Sequence, residues 1–149
     1  MKKVTLLLVM LAFMANVSIA QNKERVNAFN YNKNAQSYIE TAEQFNVQKR
    51  TDKAAKEMAN AKIMLQRAKT SIDLAAAHDE TKNDAKTWHY YGVIYLKIAT
   101  YPEFNDIDTD ALEKCADAFK KIVELDESYL KDNYGEIVTY IQSITTNYF

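Results

Sequence analysis

Small and apolar residues recur along most of this chain in alternating steps of three and four. Between Gln21 and Phe45 these positions are Ala28, Tyr31, Ala35, Tyr38, Ala42 and Phe45. Between Thr51 and Ala77 they are Ala54, Met58, Ala61, Leu65, Ala68, Ile72 and Ala75. Steps of this kind put each set on a single stripe of an α-helix, and so strict an alternation is the seam of helices lying nearly parallel or antiparallel. Alanine alternating with a larger residue lets two backbones approach closely. The link at 46–50 is short, so the two helices are expected to fold back as an antiparallel hairpin. Thr51 or Asp52 is the expected cap of the second, because a side-chain oxygen there accepts from free helix amides.

The pattern continues after a polar turn, His78 to Asn83. Trp88, Tyr91 and Tyr95 stand at i, i+3 and i+7 in a helix expected over 84–100, which places three large rings on one face. Tyr101 to Thr109 contains Pro102 and reads as a loop. Asp110 and Glu113 have the spacing of a capping box. The helix they open carries Leu112, Cys115, Phe119, Ile122, Val123 and Leu125. Tyr134, Ile137, Val138, Ile141 and Ile144 mark a last helix over about 129–148.

Composition narrows the class. The chain of 149 residues has 2 glycines and 1 proline, too few turn residues for sheets, barrels or phosphate-cradling loops, so the fold class is all-α. A formal net charge of −1 and the absence of a basic block argue against nucleic acid or an anionic membrane surface as partner. The first 20 residues pair Lys2 and Lys3 with the apolar stretch Val4 to Ala15, then Ser18 and Ala20 at the positions of a cleavage site. They read as a secretory signal peptide cut after Ala20, leaving 21–149 as one domain. That places the protein in the periplasm of a Gram-negative bacterium, or secreted, with no transmembrane span after cleavage. Cys115 is the single cysteine, so no intrachain disulfide forms, and its apolar neighbours assign it to a core.

Trp88, Tyr91, Gly92 and Tyr95 read W-x2-Y-G-x2-Y and are followed by Cys115, Phe119 and Ile122 on the next helix. This resembles the tetratricopeptide repeat, in which a glycine on helix A admits the close approach of helix B. Here a thiol-sized residue, Cys115, is expected opposite Gly92. The match covers residues 85–126 well and 54–80 loosely, through Ala68, Ile72 and Ala75. It departs from the family in a longer junction between Tyr95 and Cys115, and in Glu127, where many repeats carry proline.

The resemblance implies antiparallel helix pairs in a right-handed α-solenoid of about five helices. It implies a protein–protein interaction scaffold binding a peptide or helix on the concave surface, with Lys86, His89, Val93, Leu96 and Lys97 lining the groove. The family's basic-plus-amide clamp for a terminal carboxylate falls on His89 and Val93, so that clamp is absent. Tyr101 and Phe104, in the long loop, complete the expected contact surface. The last helix is either a cap on the stack or the start of a further repeat, since Tyr134-Gly135 echoes Tyr91-Gly92.

Other chemistry is weakly represented. Asp106, Asp108, Asp110 and Asp117 have some spacing of a calcium loop, but Ala111 and Asp117 stand where glycine and glutamate are needed. His78 and His89 have no partner at metal-ligand spacing and are expected on helix surfaces. Ser71, Ser128 and Ser143 lack an activating base. The reading is therefore non-enzymatic, without cofactor or metal. From a different class, the alternative is a structural homo-oligomer paired through the heptad-spaced helices 22–47 and 51–77.

Overall fold

The computed structural model describes residues 2–133 together with 135, 138, 139 and 142, with side-chain environments from Asn22 onward. Among the described residues it is all-helical: α1 (Lys2–Val47), α2 (Thr51–Ala77), α3 (Ala85–Thr100), α4 (Ala111–Leu125) and α5 (Glu127–Asp132), with a short 3-10 turn at Pro102–Phe104. The first four helices begin or end within a residue or two of the expected bounds, except that α1 runs back without a break to Lys2. The last expected helix begins earlier, as α5, and its apolar positions Tyr134, Ile137, Ile141 and Ile144 lie outside the described residues. No described helix is long and apolar enough to cross a membrane.

α1 and α2 make the most extensive contact in the molecule. Ala28, Ala35, Ala61, Leu65, Ala68, Ile72 and Ala75 are all fully buried. The alanines do this because a methyl group lets the helices close to short separation while still removing apolar surface from water. Ile39 is fully buried as well, whereas its neighbour Tyr38, on the expected stripe, is only half-buried. Phe45 is half-buried too and serves the turn. The Arg50 guanidinium lies over its ring, 4.8 Å from the centroid.

That turn is a Schellman motif. The Arg50 amide donates to the Phe45 carbonyl at 2.8 Å and the Lys49 amide to the Asn46 carbonyl at 2.9 Å. Lys49 adopts the left-handed conformation, φ 59°. The expected Thr51 or Asp52 cap does not form: Arg50 occupies the N-cap of α2 without a side-chain bond. The tight turn delivers the Arg50 carbonyl to the first amides instead, at 3.1 Å from both Lys53 and Ala54.

At the start of α3, Asp84 caps the helix by accepting from the Lys86 amide at 2.9 Å. The same carboxylate is ion-paired with Arg25 of α1. Further along, Phe29 meets Tyr90 at 5.2 Å between ring centroids, and Glu43 accepts from the Tyr101 hydroxyl at 3.4 Å. The contacting residues thus follow the same chain order on α1 and α3. α3 and α4 meet at Gly92, where an added Cβ would lie 3.0 Å from the Phe119 ring. The gap opposite the glycine is filled by that ring rather than by the Cys115 thiol. Cys115 is buried in the core, where loss of water pushes its thiol pKa up to about 12.

The loop 101–109 is pinned rather than free. Phe104 is fully buried and anchors it. Lys62 pairs with Asp106 at 2.6 Å, while Asp108 takes Lys114 at 2.7 Å and Lys69 at 3.3 Å. Asp110 makes no side-chain cap to α4; its amide donates instead to Asp108 at 3.1 Å. The expected capping box therefore does not form, and the only amide Asp108 holds there is that of the N-cap residue, just outside α4.

Candidate functional site

Two open clefts flank α3. The first, of about 360 Å³, lies between α1, α3 and α5 and is lined by Phe29, Lys86, His89, Tyr90, Tyr129 and Asn133. α5 reaches it because Asp126 caps the helix, accepting from the Tyr129 amide at 3.0 Å and from the Ser128 hydroxyl at 2.6 Å. Those two bonds hold the Asp126 carboxyl below its usual range. Tyr129 is then fixed by a 2.9 Å hydrogen bond between its hydroxyl and Nδ1 of His89. The Lys86 ammonium sits 5.8 Å from the Tyr90 ring centroid. Phe29 is 43% exposed and Val26, one turn earlier, 55%, so an apolar ledge borders the cleft.

Of the residues expected to line the groove, the structure gathers Lys86 and His89 here, buries Val93, Leu96 and Phe104, and leaves Lys97 and Tyr101 half-buried outside this cleft. Val93 and Leu96 are buried, and so is Phe104 of the loop, so none of the three offers surface to a partner. The reason is that α3 is enclosed by α1, α2 and α4 on most of its circumference. His89 is likewise 3% exposed, against its expected place on a helix surface, and it orients Tyr129. Lys97 is half-buried beside Glu40, and burial lowers its pKa to about 8 despite that carboxylate. Tyr101 is half-buried, with its ring 5.5 Å from that of Phe104. Phe29, Tyr129 and Asn133 were not legible as site residues. Phe29 alone gave a signal, as an aromatic ring off the α1 stripe.

The second cleft, of about 340 Å³, lies between α2, α3 and α4 and is lined by Lys69, Asp73, Ala76, Ala77, Trp88, Tyr91, Tyr95 and Lys114. The three rings stand in series, Trp88 to Tyr91 at 5.4 Å and Tyr91 to Tyr95 at 4.3 Å, the latter pair stacked. Trp88 Nε1 donates to the Lys82 carbonyl at 2.6 Å, and the Tyr95 hydroxyl donates to Asp73 at 2.7 Å. Burial, then the bonds to Tyr91 and Asp73, raise the Tyr95 pKa far above that of a free phenol. Lys69 and Lys114 lie 5.5 and 5.6 Å from the Tyr95 ring centroid. Burial opposes the charge on Asp108, yet Lys114, the Asp110 amide and Lys69 together hold its carboxyl below the usual range.

Among the described residues, no group of three or more His, Cys, Asp or Glu side chains is placed to hold a metal ion. Asp106 and Asp108, which suggested a calcium loop, are engaged by lysines. No protein-family model matches the chain, and no curated protein or solved structure is detectably similar to it.

Proposed function

We propose that this chain is a non-enzymatic interaction scaffold of the tetratricopeptide type that holds a peptide or helix of a protein partner. The observation that carries the reading is the cleft between α1, α3 and α5, where Lys86, Tyr90 and the exposed Phe29 share one surface with Tyr129 and Asn133. The ordered contacts from Arg25–Asp84 to Glu43–Tyr101 support α1 and α3 as parallel first helices of two stacked antiparallel pairs. In a right-handed solenoid such helices line the concave side, and a cleft between them is where a partner segment lies. The protein works in the cell envelope or outside the cell, after cleavage following Ala20. That cut falls within α1 and leaves every side-chain contact described above in place.

The alternative, an oligomer paired through helices 22–47 and 51–77, is less favoured because Ala28, Ala35, Ala61, Leu65 and Ala68 of that seam are already buried within one chain. The scaffold reading is tested by placing a photo-crosslinking phenylalanine analogue at position 29 and, separately, at exposed position 63. A discrete protein adduct from the native envelope at position 29, absent at 63, is the expected outcome. Equal labelling at both positions, or none at 29, removes the reading.

A further inference from the structure

The cleft on the other side of α3 carries a separate inference, independent of the scaffold reading. We propose that the groove lined by Trp88, Tyr91, Lys69, Asp73 and Lys114 binds a neutral saccharide. Three observations select that class of ligand. First, Trp88 and Tyr91 are half-buried, and both line the opening. An aromatic face is electron-rich and complements the weakly positive C–H face of a sugar ring. Second, the ionic groups around the rings balance: Lys69 and Lys114 are matched by Asp73 and Asp108. A strongly anionic or cationic ligand would therefore meet a like charge as closely as an opposite one.

Third, the groove offers both kinds of hydrogen-bonding edge. Asp73, 37% exposed, is an acceptor with lone pairs to spare, while Lys69 and Lys114, 24% and 37% exposed, are donors. Each sugar hydroxyl is at once donor and acceptor and can bridge such a pair. A proline-rich strand also favours aromatic grooves, but it brings carbonyl acceptors without backbone donors and would leave the Asp73 carboxylate unanswered.

The groove is also fixed in advance. Trp88 is tied to the Lys82 carbonyl at 2.6 Å, the Tyr95 hydroxyl to Asp73 at 2.7 Å, and Lys69 to Asp73 at 2.9 Å. A lining already ordered by the fold loses little entropy when a ligand arrives. The lining is shallow and open to solvent, so a short saccharide would lie across the rings rather than be enclosed by them.

Trp88 is the only tryptophan in the chain, so its emission reports on this groove directly. The full chain is titrated with chitotriose, cellotriose and maltotriose, and in parallel with a proline-rich decapeptide. A saturable change in emission with at least one trisaccharide is expected, weakened by about tenfold in Asp73→Asn and in Tyr91→Leu. Asp73→Asn keeps an acceptor for the Tyr95 hydroxyl and so tests the ligand rather than the fold; helical circular dichroism confirms this. If Tyr91→Leu loses its helical signal, Asp73→Asn alone decides. Overturning results are no response to any of the trisaccharides up to their solubility limits, a response unaltered in Asp73→Asn, or a response to the peptide alone.

Discussion

The two helix pairs solve the same packing problem with opposite materials. α1 and α2 meet through methyl groups, with Ala28, Ala35, Ala61, Ala68 and Ala75 all at 0% exposure. α3 and α4 meet through a ring laid on a glycine, Phe119 over Gly92. The alanine positions give long, even contact, and a methyl group on the backbone cannot move aside. The ring-on-glycine contact is local, and an aromatic side chain can swing or be trimmed. A small-residue stripe therefore sets how closely two helices run, whereas the glycine fixes one point of contact. The difference extends to function: α3 supplies side chains to both clefts, whereas α1 reaches only the first, through Phe29, and α2 only the second, through Lys69, Asp73, Ala76 and Ala77.

Enlarging the alanine seam sharpens the comparison most. Ala68→Leu is expected to cost about 3 kcal/mol in denaturant unfolding, with no single second substitution restoring it, because both backbones would have to separate. Gly92→Leu should cost about 2 kcal/mol. Here trimming the ring helps: in a double-mutant cycle with Phe119→Ala, the two losses should add to less than their sum by at least about 0.5 kcal/mol. Strict additivity would mean that the ring does not sit on Gly92.

The pinned loop comes next. Asp108→Asn leaves Lys69 and Lys114 without their shared carboxylate and is expected to lower stability by about 1–2 kcal/mol at neutral pH. The same carboxylate sets an acid limb. Its folded pKa lies below the unfolded value, so its stabilisation is present above the usual carboxylate range and disappears as pH falls through the folded value. The fall in stability with acid should be shallower in Asp108→Asn than in the parent, and parallel curves would show that the carboxylate is not so held.

The smallest effect is a gain. Lys49 holds a left-handed φ of 59° in the turn between α1 and α2, a conformation that glycine adopts without strain. Lys49→Gly should raise stability by about 0.5 kcal/mol, the relief of strain being partly offset by the greater freedom of the unfolded chain. A loss of stability would mean that the lysine stem contributes contacts that outweigh the strain.

Much of the architecture was written in the spacing of the chain. Steps of three and four placed α2, α3 and α4 to within a residue or two, and W-x2-Y-G-x2-Y marked a point where a second helix comes close. These features are local, set by periodicity and by the volume of one side chain. The capping residues were less legible, because a tight turn puts Arg50 rather than Thr51 at the N-cap of α2, and Asp110 stands at the N-cap of α4 without a side-chain bond to a helix amide.

The sites depended on long-range geometry. The repeat resemblance put Val93 and Leu96 on a partner surface and the loop position put Phe104 there; only the assembled molecule buries all three. Lys69, Asp73 and Lys114 carry no signature along the chain and become neighbours only when three helices meet around Tyr95. The sequence by itself determined where the chain is helical and which stripe of each helix is apolar, because both follow from contacts three or four residues apart. Tertiary structure decided which of the remaining faces stay open to a ligand, because that depends on which helices close around each one.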